Sequence, residues 1–312
     1  MITASAIDRL DALASERGLA LRSDVPLAPL TTLRVGGPAE RLAAPESIDE
    51  LLALLAIARE AGVQIFMLGK GSDLVVADAG IRGLVIRTRA DGVSVDGTRV
   101  RAEAGAAMAA LARLTARAGL AGFDWAISIP GSFGGAIWAN AGAHGGEMRD
   151  VLVEVDAVDP ASGERRTIAV SDCGFAYRDS RFKLGGEVVI GGVLELGRGD
   201  PASINALIDG HQQHRRRTQP LADQNAGSVF RNPDGDHAGR LIEAAGLKGH
   251  RIGSARVSEL HANFIVTDRG SGRAADVRAL GDHVRATVAE RHGVDLAYEI
   301  EFVGDWTAED GT

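Results

Sequence analysis

The sequence predicts an α+β fold, and three observations carry that reading. Segments of helical and strand periodicity mix along the whole chain, with no internal repeat. The 312 residues are enough for two or three domains with a sizeable core. Between two such mixed regions lies a glycine-dense stretch, residues 129–146 (IPGSFGGAIWANAGAHGG), which also holds Ile129, Phe133, Ile137 and Trp138. Glycine at that density costs backbone entropy and needs a reason. A partly buried loop with few charges can offer bare N–H groups to a phosphate or heterocycle. A close-packed structural turn explains the stretch equally well.

Taken in order, the chain opens with an amphipathic helix running to about Arg17, with Ile7, Leu10 and Leu13 apolar and Gly18 as its stop. Pro26 and Pro29 impose an extended lead-in to residues 31–38, which read as a strand entering a glycine turn. Ser47 and Glu50 form a capping box for a helix over 48–61. Residues 63–68 form a strand that opens into Gly69-Lys70-Gly71-Ser72-Asp73, and Leu74 to Val76 resumes the apolar pattern. Strands follow at 81–88 and 98–104, then a helix at 105–117. Beyond the glycine stretch, strands at 151–158 and 166–170 flank a turn, and 188–196 is another. Asp200 and Pro201 start a helix that carries Arg215, Arg216 and Arg217. Residues 236–245 and 274–291 are helical, 264–267 a strand and 296–302 the last strand. The expected division is 1–199, with a core of about 31–199 in two parts, and 200–312, whose C-terminal end has room to pack back on the first region.

The composition excludes several classes. A net charge of -8 argues against a general nucleic-acid binder. Cys173 is the one cysteine, so neither an intrachain disulfide nor a multi-cysteine zinc site is available. The histidines are scattered. Only His211 and His214 lie one helical turn apart, with no acidic or cysteine partner nearby, so no metal is expected. Asp8, Arg9 and Asp11 interrupt any leader-like apolar run, and no stretch is long enough to span a membrane, so a reducing, cytoplasmic location is expected. The sequence carries no signal for oligomeric state.

Four motifs could carry chemistry. The loop from Gly69 to Asp73 follows a strand, as a phosphate-binding loop should, although a plain strand-end turn would use the same residues. It is not the dinucleotide fingerprint, whose third glycine position is Leu74 here. Arg178, in Tyr177-Arg178-Asp179-Ser180, is either a fixed guanidinium for a carboxylate or phosphate or half of a surface pair with Asp179. Ser228, in GSVFRNP, is a nucleophile, a proton donor or a cap; with Phe230 two residues on, the turn is not a nucleophile elbow. In the last strand Ala297, Glu299 and Glu301 would share one face, cleft-facing or solvated, and Tyr298, Ile300 and Phe302 the other.

The order of these motifs resembles one family. TTLRVGGP, LGKGSDLVV, IPGSFGGAIWANAGAHGGE, FAYRDSRF, QPLADQNAGSVFRNP, AGRLIEAAGLKG and VSELHANFIV together resemble the bacterial UDP-N-acetylenolpyruvoylglucosamine reductases (the MurB family), over about Thr31 to Gly304. The resemblance implies a two-part FAD-binding region of the vanillyl-alcohol-oxidase (PCMH) type followed by an α+β substrate-binding domain. It implies that NADPH reduces the flavin and that the flavin then reduces the enolpyruvyl sugar nucleotide of peptidoglycan synthesis. The implied flavin contacts are Gly69, Lys70, Gly71, Ser72, Asp73 and Leu74 in the first loop. In the second they are Pro130, Gly131, Ser132, Gly134, Gly135, Asn140, Gly142 and Gly145. The implied catalytic set is Arg178, Ser228 and Glu299, with Tyr177 and Asn232 as substrate contacts.

The chain departs from the family pattern in places. It lacks room after Phe182 for the tyrosine-bearing insertion of one branch and looks like the shorter branch. Thr218 stands where some members have a lysine, and Ala297-Tyr298 where others have Glu-Pro. Two rival readings compete with it. An FAD oxidase of alcohols often tethers its flavin through a histidine near the first loop, which has none here. A sugar-nucleotide-binding module without chemistry would not need Arg178, Ser228 and Glu299 jointly.

Overall fold

In the computed structural model, which describes residues 4–306, the chain divides into two units, each discontinuous in sequence. The first takes the chain up to Arg22, Arg41–Lys70 and Gly83–His214. The second takes Ser23–Glu40, Gly71–Arg82 and the chain from Arg215. The division therefore differs from a single cut between 199 and 200: two early segments belong with the C-terminal part, and the late boundary falls at His214.

The first unit has two cores. In one, α1 (Ala4–Glu16) lays Ile7, Leu10 and Leu13 against Leu51, Leu54 and Leu55 of α2 (Ile48–Ala61). An Arg41–Asp11 fork, at 2.8 and 2.6 Å, ties α1 to the strand Pro38–Ala43. Strands Ile65–Leu68 and Ile81–Arg87 run parallel, Ile65 opposite Leu84. The larger core covers a five-stranded antiparallel sheet in the order Arg165–Ala169, Leu152–Val158, Val188–Glu195, Arg99–Glu103, Val93–Asp96. The central strand Val188–Glu195 is buried at every position but its last, as its unbroken apolar run requires. Helices α3 (Met108–Arg117), α4 (Phe133–Trp138) and α5 (Arg181–Gly185) belong to this core, and α6 (Pro201–Thr218) buries Ile204 and Ile208 in it.

In the second unit, α7 (Ala238–Ala244) and α8 (Ala274–His292) share a core with a four-stranded antiparallel sheet ordered Gln224–Asn225, Ile265–Thr267, Ala255–Val257, Arg251–Ile252. Leu74–Val76 pairs in parallel with Glu301–Val303. The early segments are held by polar contacts. Thr32 Oγ1 donates to the Asn225 carbonyl at 2.7 Å, and Thr267 Oγ1 to that of Leu33 at 2.8 Å. The Asp78 carboxylate accepts the N–H groups of Ala274 and Ala275 and so caps α8.

Three expectations need correction. Residues 31–37 are not a strand; after a 3-10 turn at Ala28–Leu30 the Thr31 hydroxyl accepts from Arg34 N–H at 3.1 Å, and the strand begins only at Pro38. A local side-chain bond has displaced the ladder. The glycine stretch contains the short helix α4, because Ser132 caps it and Phe133, Ala136 and Ile137 point into the core. The last strand is only Glu301–Val303; the residues before it bend, leaving Ala297 exposed and Ile300 buried. Strands at Arg22–Pro26, Val93–Asp96 and Ala255–Val257, short and partly polar, escaped the sequence reading.

Candidate active site

In the first unit two loops distant in sequence meet. A Cβ built at Gly69 would come within 2.5 Å of Ser132 Oγ, and one at Gly134 within 2.8 Å of the Ala104 methyl. Only glycine admits this packing. Ser132 Oγ in turn accepts from Gly135 N–H at the start of α4. Phe133 and Gly134 N–H groups are bonded to the carbonyls of Ala106 and Ala104, so this part of the stretch is not the row of bare donors its glycines suggested. Bare donors lie elsewhere: the N–H groups of Lys70, at the end of a first-unit segment, and of Gly71 and Ser72, in the second unit, donate to no acceptor among the described residues.

Past α4 the chain forms a hairpin, Gly142-Ala143 against Gly146-Glu147. Asn140 supports it from within. Fully buried, it donates to Glu147 and to the Ala176 carbonyl and accepts from Arg149 N–H at 3.1 Å, so its polar atoms are committed inside the protein. Arg178 sits in a tight turn closed by reciprocal Ala176–Asp179 backbone bonds of 3.1 Å, with φ at 55°. Its Nη2 donates to the Gly142 carbonyl at 2.8 Å, and its guanidinium lies 5.1 Å from the centre of the Tyr177 ring. The hairpin tip carries His144, stacked on His211 with ring centres 4.0 Å apart and bonded through Nε2 to Ser128. His211 does have an acidic partner, Asp124 at 2.9 Å, contrary to the sequence reading. With the two 87 positions apart, spacing gave no sign of it. Among the described residues no group of three or more His, Cys, Asp or Glu side chains could hold a metal ion.

In the second unit Ser228 and Glu299 come into adjacent register. Glu299 N–H donates to the Val229 carbonyl at 2.8 Å, Arg231 N–H to that of Ala297 at 2.9 Å, and Phe230 bridges Tyr298. Ser228 and Glu299 are both half-buried. Asn232 is exposed; its side-chain oxygen accepts Ala238 N–H at the start of α7, so the amide NH2 remains for other partners.

An aromatic row backs this join. Tyr298 stacks on Phe230 at 4.9 Å and meets Phe302 edge-on; Phe302 meets Trp306 in the same way. Arg285 lies over Tyr298, and Arg278 over Phe302 and Trp306. The Tyr298 hydroxyl donates to Asp282 at 2.8 Å. Burial, and then the carboxylate accepting its proton, push the phenol far above its usual range, so it stays a donor. Tyr298, noted in the sequence only as a departure beside Glu299, was not expected to be a site residue.

Residues 39–169 match the model of an FAD binding domain, and residues 219–303 that of the UDP-N-acetylenolpyruvoylglucosamine reductase C-terminal domain. An FAD binding domain with the reductase C-terminal domain after it defines an FAD-dependent oxidoreductase. The chain is 43% identical over 299 residues to a UDP-N-acetylenolpyruvoylglucosamine reductase 2 of Symbiobacterium thermophilum, covering 95% of this chain and 96% of that one. To the reductase of Moorella thermoacetica it is 43% identical, covering 95% and 99%. The crystal structure of the reductase from Thermus caldophilus superposes with a TM-score of 0.76 at 34% identity, covering 91% of this chain and 98% of that one. The chain belongs to the UDP-N-acetylenolpyruvoylglucosamine reductase family, the FAD-dependent enzymes that form UDP-N-acetylmuramate for peptidoglycan. No helix of the described residues is long and apolar enough to cross a membrane.

Proposed function

We propose that the glycine loops hold FAD, that NADPH is the hydride source, and that Arg178, Ser228 and Glu299 act on the enolpyruvyl end of the sugar nucleotide. The observation that carries the catalytic reading is the register of Glu299 on the Ser228 turn, which joins two of the three expected groups through backbone bonds. The loop residues fit a flavin dinucleotide. Neutral N–H donors at Lys70, Gly71 and Ser72 suit a diphosphate. Gly145, at φ 86° with nothing within 4 Å of where a Cβ would stand, leaves its backbone face open. Gly69, Ser132, Gly134 and Gly135 shape the loops, and Asn140 and Gly142 act as their supports; Asp73, Leu74, Pro130 and Gly131 complete the set. The FAD-binding role belongs to the N-terminal part and the substrate role to the C-terminal part.

Bound there, FAD supplies a two-electron carrier that can take hydride from a nicotinamide and pass it to a vinyl carbon. The remaining work falls to side chains. Arg178 presents a planar fork to the substrate carboxylate, where charge builds up as the double bond is reduced. Glu299 serves the same end of the substrate only when protonated or bridged, because two anions repel. Ser228 Oγ–H supplies the proton to the carbon that bears the ether oxygen; beside a strongly basic carbon, a fixed hydroxyl needs little driving force. Tyr177, 46% exposed, and Asn232 are substrate contacts. Cytoplasmic residence fits the single, unpaired and buried Cys173.

The test is an anaerobic absorbance titration of the purified, full-length protein. A flavin spectrum that bleaches with NADPH and recovers on adding the enolpyruvyl sugar nucleotide supports the reading. Recovery only when air is admitted defeats it and favours an oxidase.

A further inference from the structure

The segment that bears Glu299 has little secondary structure of its own. Between Leu296 and Ile300 it is joined to the Ser228 turn by one isolated bridge and by bonds to two carbonyl groups across the join, Val229 and Ala297. Regular pairing resumes only at Glu301. The segment is flanked by the buried Leu296 and Ile300, and the side chain next to Glu299 is tied into the unit from several directions. The Tyr298 ring is stacked on Phe230, edged by Phe302 and overlain by Arg285, and its hydroxyl is bonded to Asp282 of α8. Helix α8 makes room for it: a Cβ at the buried Gly281 would stand 2.5 Å from the Tyr298 hydroxyl oxygen and 3.0 Å from its ring. A mid-helix glycine facing that ring marks a socket built for it.

We propose that Tyr298 is a positioning residue for the reduction: locked between Phe230 and Asp282, it holds the backbone of Glu299 in register on the Ser228 turn. This rests on the proposed role of Glu299. It also assigns a task to a position at which this chain departs from the family pattern. Tyr298 does not touch substrate in this account. It acts by fixing the angle at which Glu299 leaves the join, and misplacement by about 1 Å is enough to slow a reaction roughly 100-fold.

The experiment uses the full-length, FAD-loaded protein with Tyr298→Ala, Tyr298→Phe, Glu299→Gln and the double variant Tyr298→Ala/Glu299→Gln. Four quantities are read: flavin reduction by NADPH, anaerobic reoxidation by the enolpyruvyl sugar nucleotide, calorimetric binding of that nucleotide, and amide hydrogen exchange at Glu299. Tyr298→Ala should leave reduction and nucleotide binding near normal, slow reoxidation by roughly 100-fold, and speed exchange at Glu299 N–H. Tyr298→Phe keeps the stack and should recover most of the loss. The double variant should reoxidise no more slowly than Glu299→Gln, since residues acting as a unit are not additive. Multiplied effects in the double variant, or normal reoxidation in Tyr298→Ala while Glu299→Gln is slow, overturn the proposal and leave the reading of Glu299 intact. Normal reoxidation in Glu299→Gln overturns that reading and the proposal with it. Should Tyr298→Ala not accumulate as folded protein, Tyr298→Leu, which fills part of the socket but loses both the stack and the hydroxyl bond, takes its place with the same expected signs.

Discussion

Gly69 and Ser132 are packed so closely that a methyl group at position 69 would stand 2.5 Å from the serine hydroxyl. That hydroxyl is also the cap of α4. Gly69→Ala should therefore turn it away from Gly135 N–H, at a cost of about 1 kcal/mol for the lost cap. Ser132→Gly should cost only a few tenths of a kcal/mol, roughly what glycine costs as a cap. The two together should cost less than Gly69→Ala alone, since no hydroxyl remains to be displaced. Denaturant midpoints and the flavin-to-protein absorbance ratio measure both effects. A double variant less stable than Gly69→Ala would show that the clash lies elsewhere.

Arg178→Lys should lose most of its turnover. The guanidinium reaches the Gly142 carbonyl from a turn with φ at 55°, and its planar fork has the geometry to meet a carboxylate as well. An ammonium is a point charge and cannot do both. Steady-state NADPH oxidation with the enolpyruvyl nucleotide is the measurement, and near-normal turnover would remove Arg178 from carboxylate binding.

Ser228→Ala should separate the two half-reactions. Reduction of the flavin by NADPH does not need a proton from Ser228 and should proceed. Reoxidation by the nucleotide should fall by on the order of 100- to 1,000-fold, as when one placed group is removed from a developing charge. Rapid-mixing absorbance distinguishes the two.

Cys173 gives a pH prediction. Burial pushes its thiol up to about 11 from the ordinary 9.0, with nearby Arg181 opposing the shift. A raised folded-state value means the folded protein holds the proton longer than the unfolded chain. The resulting stability is complete below pH 9.0 and is lost as pH rises toward about 11. Cys173→Ala should flatten that part of the stability profile, and iodoacetamide at mildly alkaline pH should label Cys173 only in denaturant.

What the sequence disclosed follows from how local each signal was. The helix at Ile48–Ala61 was legible because its start is written in four adjacent residues, and Ser47 Oγ does accept Glu50 N–H at 3.2 Å. The central strand Val188–Glu195 was legible because burial on both faces demands an unbroken apolar run. Residues 31–37 misled because the pattern is strand-like while the Thr31 hydroxyl holds a turn. The segment before Glu301 misled because its course is set by Val229 and Phe230, some 70 positions earlier in the chain. The glycine loops could be located, but which N–H groups stay bare depends on carbonyls at Ala104 and Ala106 that no motif names.

Gly281 carries a historical consequence. Alanine is ordinarily the safer residue inside a helix, by about 1 kcal/mol. Here it would collide with the Tyr298 hydroxyl. An ancestor of this chain could lose the glycine only after exchanging the tyrosine, so the order in which those two codons change is constrained. Two positions 17 apart in the sequence are thus coupled: alanine at 281 becomes acceptable only once the tyrosine at 298 has gone.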